Sequence, residues 1–196
     1  MASPVLHLEP TILDYIRHEG LLRVGHFAYP SGRHSAIHLD HDRLLTNPEA
    51  SSRMGYALAK GFFTSKVETV ASPSIWGAGL AQWVAYFLEP RAKVVYATPK
   101  PDGRRSIAPA VQPLVAGRRV LLIDNVTLSG ETIRQFRQTL EDVGGEVIGI
   151  GCLWAASAPD DANGLAGLLN SRYPSWETDK CPLCEAGDHD VEHVSP

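Results

Sequence analysis

The sequence predicts an α/β fold in which helices flank a mostly parallel central sheet. Apolar runs of strand length alternate with segments of helical periodicity, and this alternation is typical of right-handed βαβ units. Four consecutive apolar residues at 120–123 indicate a strand that is buried on both faces. A length of 196 residues with a hydrophobic share of 44% suits one domain with a sizeable core. We therefore expect a single domain over residues 1–196.

The N-terminal third contains a helix, a short-stranded segment and a second helix. Residues 9–19 carry apolar side chains on one helical face, and Gly20 is a plausible C-cap. Residues 25–45 are punctuated by the turn sequence Pro-Ser-Gly, which predicts short strands. Residues 48–63 begin with proline after Asn47, which is a favourable start for a helix.

The remaining elements follow the same alternation up to about residue 156. We predict strands at 67–71, 93–97, 120–123 and 146–154, and helices at 78–88 and 132–143. Residues 98–113 are polar and rich in proline and glycine, which indicates a loop. The chain thus divides into an N-terminal segment (1–45), a core (46–156) and a weakly patterned C-terminal segment (157–196) with a short helix near 165–171.

Composition excludes several classes of protein. The formal net charge of −4 argues against a general nucleic-acid binder. No apolar run approaches the roughly 18 residues that a membrane span needs, and no secretory signal is visible. Three cysteines do not make a disulfide framework. We expect a cytoplasmic protein that binds neither nucleic acid nor membranes.

Residues 120–132, with the sequence VLLIDNVTLSGET, contain the main functional pattern. Asp124 and Asn125 follow the buried strand, and a short turn then leads into a helix. Ligands of open α/β sheets bind outside the carboxyl ends of the strands. The unpaired amides at a helix N-terminus favour an anion. This pattern suits a sugar phosphate, because the turn can hold the phosphate and the two side chains can hold ribose hydroxyls.

This segment resembles the phosphoribosyl-pyrophosphate (PRPP) signature of type I phosphoribosyltransferases. Two positions depart from that signature: Asn125 replaces the second acid, and Glu131 replaces a glycine. The resemblance extends to residues 25–45, which are similar to the base-binding hood of orotate phosphoribosyltransferases. It also includes residues 72–81, which stand where the family has its pyrophosphate loop, and the tail 181–187. It implies the type I phosphoribosyltransferase fold with a small N-terminal hood.

The resemblance also implies a reaction and the residues for it. A base nitrogen, most plausibly of orotate, attacks the anomeric carbon of PRPP, and pyrophosphate leaves with Mg²⁺ in a homodimeric enzyme. Asp124 and Asn125 are the expected catalytic residues, and restoring the second acid by Asn125→Asp is expected to be neutral or activating. The 5′-phosphate is assigned to Thr127, Leu128, Ser129, Gly130, Glu131 and Thr132. Pyrophosphate is assigned to Ser74, Ile75, Trp76, Gly77, Lys100, Arg104 and Arg105, and the base to Phe27 and Arg33.

The departures leave two alternative functions open. One is a phosphoribosyltransferase for another base, because bulky Ile75 and Trp76 occupy the pyrophosphate loop. The other is a non-catalytic sensor of PRPP or nucleotide, because Asn125 cannot supply a second negative charge.

Cysteines and histidines in the tail offer a possible zinc site. Cys181, Cys184, His189 and His193 have ligand types and spacing near those of a short zinc knuckle. Similar tails in the family keep the cysteines without the histidines, so we expect no metal ligands from protein side chains. Four further histidines are expected to have polar roles in the hood: His26, His34, His38 and His41.

Overall fold

The computed structural model describes residues 10–100, 104–155, 165–170 and 175–194. Its centre is a five-stranded sheet in which every paired neighbour is parallel, which confirms the predicted α/β architecture. The strands are β3 (Thr69–Ser72), β4 (Lys93–Tyr96), β7 (Arg119–Thr127), β8 (Glu146–Ala155) and β9 (Leu165–Asn170). Their order across the sheet is β4-β3-β7-β8-β9.

Helices cover both faces of this sheet. On one face lie α3 (Pro48–Lys60) and α4 (Ile75–Phe87), and on the other lies α5 (Glu131–Asp142). Successive side chains of β7 point to opposite faces of the sheet. Leu121 packs with the cluster that includes α3 and α4, whereas Leu122 packs with α5. Because β7 is buried on both faces, its apolar run is continuous rather than alternating.

A second, four-stranded sheet forms the hood. It contains β1 (Leu22–Ala28) and β2 (Arg33–Leu39), joined by a tight turn in which Gly32 has a φ of 74°. The C-terminal strands β10 (Ser175–Glu177) and β11 (Val191–His193) complete it, in the order β10-β2-β1-β11. The hood sheet is therefore built from both ends of the described chain.

The remaining short elements lie outside these two sheets. They are α1 (Pro10–His18), α2 (His41–Thr46), the hairpin β5 (Thr98–Pro99) and β6 (Arg105–Ser106), α6 (Pro182–Glu185), and 3-10 helices at Pro109–Leu114 and Thr178–Lys180. The predicted caps are confirmed: Gly20 has a φ of 63°, and Asn47 accepts hydrogen bonds from the Glu49 and Ala50 amides. Within the described residues, no helix has the length and apolarity that crossing a membrane requires.

One predicted element is wrong. Residues 165–170 form the edge strand β9 rather than a helix, and Gly167 pairs with Cys152 of β8. A six-residue apolar run is too short for its periodicity to separate a strand from a helix, and pairing along the edge of β8 decides the outcome. The predicted helix reached residue 171, which lies outside the described residues.

Candidate active site

A cleft of about 320 Å³ opens at the carboxyl ends of β3 and β7. These strands are neighbours in the sheet, but the chain continues from β3 to β4 on one side and from β7 to β8 on the other. Such a switch point is where open α/β sheets bind ligands. The lining residues are His41, Asp42, Pro73, Ser74, Trp76, Arg105, Asp124, Asn125, Val126 and Thr132.

Asp124 provides the carboxyl group at the floor of the cleft. It lies within β7, which runs two residues beyond the predicted catalytic pair, and its Oδ1 accepts the Asn125 amide at 2.9 Å. Burial raises the pKa of Asp124 to about 7, although this hydrogen bond and the charge of Arg105 act in the opposite direction. The carboxyl of the free protein is therefore only partly ionised at neutral pH, and a nearby cation would complete its ionisation.

Asn125 is held in one orientation beside it. The residue is 4% exposed, and its Nδ2 donates to the carbonyl oxygen of Trp76 at 3.1 Å. Its Oδ1 is buried and has no hydrogen-bond partner among the described residues. Since the amide nitrogen is already engaged, this oxygen is an acceptor available to a ligand hydroxyl.

The turn between β3 and α4 approaches Asp124 closely. Ser74 caps α4 by accepting the Gly77 amide at 3.4 Å, and the Ser72 hydroxyl donates to the Ser74 carbonyl at 3.0 Å. A Cβ on Gly77 would lie 2.3 Å from Ser72 Oγ and 3.4 Å from Asp124 Oδ1. Only glycine fits here without displacement, so this turn and the carboxyl form one surface.

The other predicted pyrophosphate residues are distributed unevenly. Arg105 lines the cleft and donates through Nε to the Pro73 carbonyl at 2.9 Å, which ties β6 to the turn. Trp76 also lines the cleft and is 72% exposed, and Ile75 is exposed beside it. Lys100 does not line the cleft; together with Arg104 it lines a neighbouring hollow against α5, which Arg105 also borders.

The turn between β7 and α5 brings one of the predicted phosphate residues, Thr132, to the cleft. Gly130 takes a φ of 77° at the start of α5, and Thr132 faces the cleft. Glu131 points its side chain along the solvent-exposed helix face, where it pairs with Arg134 and Gln135. Its carboxylate therefore stays away from the cleft, and the amides of the first helical turn remain the polar groups on that side.

The two predicted base-binding residues lie elsewhere. Phe27 is 2% exposed and packs in the hydrophobic core against the His38 ring. Arg33 donates to Ser175 Oγ at 2.9 Å and to its carbonyl oxygen at 2.7 Å, which joins β2 to β10. On the hood side the cleft is lined instead by His41 and Asp42. Sequence analysis assigned His41 only a general polar role in the hood and did not single out Asp42, although both residues follow β2 closely.

The tail cysteines lie in a second cluster with histidines of the hood. Cys181 and Cys184 share it with His26 and His34, whose ligand atoms all lie within 4.8 Å of one another. The spacing-based set is corrected accordingly: His189 and His193, although described, do not belong to this group. The expectation of merely polar hood roles for His26 and His34 is revised as well, because chain folding rather than sequence spacing brings the four residues together.

Comparison with known proteins gives one consistent result. Residues 54–196 match the phosphoribosyl transferase domain family. The chain is 31% identical over 186 residues to the orotate phosphoribosyltransferase of Chlorobium phaeobacteroides, covering 91% of this chain and 92% of that protein. It is 34% identical over 182 residues to the corresponding Thermus thermophilus enzyme, covering 90% and 96%.

Solved structures show the same fold at lower identity. The orotate phosphoribosyltransferase of Aeropyrum pernix matches with a TM-score of 0.61 and 18% identity, covering 81% of this chain and 93% of that chain. The Mycobacterium tuberculosis enzyme in complex with PRPP matches with a TM-score of 0.53 and 17% identity, covering 67% and 80%.

Proposed function

The chain belongs to the type I phosphoribosyltransferase family, and on that premise we propose that it transfers the phosphoribosyl group of PRPP to orotate with release of pyrophosphate. The observation that carries the proposal is the meeting of three features in one cleft. Asp124 and Asn125, the turn that leads into α5, and the start of α4 with Gly77 all border the switch point between β3 and β7. A sugar bearing phosphates at both ends requires this arrangement.

The ribose would lie across the β7 end. Asp124 would accept one ribose hydroxyl, and the unpaired Oδ1 of Asn125 would accept the other. The first-turn amides of α5, with the Thr132 hydroxyl, would hold the 5′-phosphate. The orientation of Glu131 along the solvent face supports this assignment, because an inward carboxylate would repel the phosphate.

In the reaction, a bond forms between the base nitrogen and the anomeric carbon as the bond from that carbon to pyrophosphate oxygen breaks. The proton of the base nitrogen leaves to water or to the departing pyrophosphate. The ribose gains positive charge in the transition state. An ionised Asp124 beneath the ring would stabilise that charge, and the cation itself favours ionisation of a carboxyl whose pKa burial raises to about 7. Positioning and electrostatics thus account for the protein's contribution.

Pyrophosphate would leave along the turn that precedes α4. Arg105 lies at this turn and can neutralise part of the departing charge, and the amides at the start of α4 point the same way. Mg²⁺ prefers oxygen ligands and retained water. Because Asp124 and the Asn125 Oδ1 would be engaged by the ribose hydroxyls, the ion would be held mainly by oxygens of PRPP and by water. When bound, the ion would offset the charge of the leaving pyrophosphate.

The base would occupy the side of the cleft nearest the hood. Trp76 and the hood residues His41 and Asp42 all line the cleft, and Trp76 is exposed. A planar base can stack on the indole while its polar groups form hydrogen bonds with the cleft. The bulk of Trp76 favours a single ring over a purine.

Pyrophosphate release from PRPP, measured with a panel of bases, tests this function. We expect orotate to exceed uracil, adenine and hypoxanthine in kcat/KM, because the relatives that match about nine-tenths of this chain are orotate phosphoribosyltransferases. A clear purine preference would assign the chain to another base. Tight PRPP binding without release for any base would instead identify a sensor.

We also propose that the chain forms a homodimer through the outer face of α3 and α4. Aromatic rings cluster on this face. The ring centroid of Tyr56 lies 5.3 Å from that of Phe87 and 6.1 Å from that of Phe63, and the ring centroid of Tyr86 lies 5.3 Å from that of Phe87. Tyr56, Phe63 and Tyr86 are all exposed. Contiguous exposed apolar surface of this kind marks an association site.

Light scattering at micromolar concentration tests the dimer. Tyr86→Lys should shift the protein towards monomer, because it places a desolvated charge in the interface. Tyr96→Lys is the matched control, since Tyr96 is similarly exposed but lies on β4. A wild-type monomer with full activity would contradict the proposal.

A further inference from the structure

Four side chains of the metal-binding types converge on the hood sheet, away from the cleft. His26 comes from β1 and His34 from β2, whereas Cys181 and Cys184 come from the segment between β10 and β11. The His26 ring nitrogen Nε2 lies 3.5 Å from Cys181 Sγ and 3.6 Å from Cys184 Sγ. His34 Nδ1 lies 3.4 Å from Cys184 Sγ and 2.8 Å from His26 Nε2.

These separations resemble the edges of a small tetrahedron. With zinc bonds of about 2.3 Å to sulfur and about 2.0–2.1 Å to nitrogen, ligand atoms lie about 3.3–3.8 Å apart. Three of the four sulfur–nitrogen distances fall in that range, and every pair of ligand atoms lies within 4.8 Å. The nitrogen–nitrogen distance of 2.8 Å is shorter and equals a hydrogen bond, so binding an ion requires these two rings to separate by about half an ångström.

The orientation of His26 favours a ligand role. Its Nδ1 lies 3.0 Å from the Asp188 carbonyl oxygen, which can only accept, so Nδ1 must carry the proton. The lone pair of the neutral ring is then on Nε2, which faces both cysteines. Metal-bound histidines commonly have their second nitrogen fixed to a carbonyl or carboxylate in this way.

The burial of the cluster indicates a closed site. His26, His34 and Cys181 are buried, and Cys184 is half-buried. Four protein ligands with no open position are typical of structural rather than catalytic zinc. Two sulfurs and two imidazoles in a tetrahedral arrangement also favour zinc over magnesium or calcium.

We propose that His26, His34, Cys181 and Cys184 bind one zinc ion, which fastens the C-terminal segment to the hood hairpin. The ion would join the hairpin strands β1 and β2 to the segment between β10 and β11. In the hood sheet, β10 borders β2 and β11 borders β1. β2 leads directly to His41 and Asp42 at the cleft, so the ion would also steady that wall. The site is independent of the chemistry proposed for the cleft.

Metal content and cobalt substitution test the site. Tag-free protein prepared with reductant and dialysed should contain about one zinc per chain by plasma mass spectrometry. Reduced apoprotein given one equivalent of Co²⁺ should develop visible bands of tetrahedral cobalt and a thiolate-to-cobalt charge-transfer band. Absence of both zinc and these bands would overturn the proposal and leave a hydrogen-bonded cluster of histidines and thiols. A disulfide between Cys181 and Cys184 that persists in the presence of reductant would overturn it equally.

Variants then test the ligand set. Cys184→Ser and His34→Gln should each lose the stoichiometric zinc, whereas His189→Gln and His193→Gln should keep it. The last two are matched controls, because tail spacing alone would select those histidines. Zinc retention in the first pair, or loss in the second, would refute this set of ligands. Where a variant fails to fold, the wild-type cobalt spectrum still decides whether the site exists.

Discussion

Replacement of Asn125 by aspartate probes the link between the signature strand and the turn before α4. In the structure, Asn125 Nδ2 donates to the Trp76 carbonyl at 3.1 Å. A carboxylate at this position would direct an oxygen at that carbonyl and would lie beside the Asp124 carboxyl. Although aspartate restores the second acid that the family signature predicts, we now expect it to destabilise the free protein.

The size of the effect follows from two contributions. Losing the donor removes the part-buried hydrogen bond to the Trp76 carbonyl, which costs about 1 kcal/mol. Burying a second carboxyl next to Asp124 raises the pKa of the introduced group above its ordinary value, by desolvation and by like-charge repulsion. A raised folded-state pKa means that stability is kept at low pH and lost as the pH rises through that pKa. We expect a total cost of about 2–4 kcal/mol at pH 8 and about 1 kcal/mol at pH 5, where the protonated carboxyl can donate to Trp76.

Urea unfolding of Asn125→Asp and wild type at pH 5 and pH 8 measures this difference. Asn125→Leu is the matched control, because it also loses the donor but adds no titrating group. Its cost relative to wild type should be about 1 kcal/mol at both pH values. The reasoning would be refuted if the Asn125→Asp protein were as stable as wild type at pH 8. It would also be refuted if the stability of the leucine variant depended on pH as strongly as that of the aspartate variant.

Three other substitutions test the remaining parts of the cleft. Asp124→Asn should lower steady-state turnover by about 100-fold or more. In urea unfolding, the same substitution should stabilise the free protein by about 1–2 kcal/mol at pH 8 and not at pH 4, because burial raises the Asp124 pKa to about 7 and ionisation then costs stability. Water in the cleft screens part of that cost. Gly77→Ala should destabilise the protein by about 1–3 kcal/mol and weaken PRPP binding in calorimetry. Gly79→Ala should instead stabilise the protein by up to about 1 kcal/mol, since its Cβ would meet nothing within 4 Å and alanine is the better helix former. Arg105→Met should raise the KM for PRPP by about 10-fold or more, and Arg104→Met, which alters the neighbouring hollow, should change it several-fold less.

Local patterns predicted the elements that depend on local physics. The run 120–123 is fully buried in β7, and Asn47 and Gly20 cap their helices as their side-chain chemistry and backbone freedom predict. The position of Asp124 and Asn125 at the cleft followed from the same logic, because ligand sites of open α/β sheets lie at the carboxyl ends of the strands.

Features that depend on distant residues were not predictable from those patterns. His26 and Cys181 are 155 positions apart, and only the pairing of β11 with β1 and of β10 with β2 brings them together. The strand β9 was predicted as a helix because its identity depends on the neighbouring β8. Likewise, the core position of Phe27 and the contact of Arg33 with Ser175 are set by packing of the C-terminal segment.

Product formation from PRPP and orotate tests the central claim most directly. Purified protein with Mg²⁺ should convert the two substrates into orotidine 5′-monophosphate and pyrophosphate in equal amounts, and added pyrophosphate should reverse the reaction. The Asp124→Asn protein should bind PRPP but form product at a rate lower by about 100-fold or more. If wild type binds PRPP in this cleft yet forms no nucleotide from orotate, the chain is not the transferase proposed.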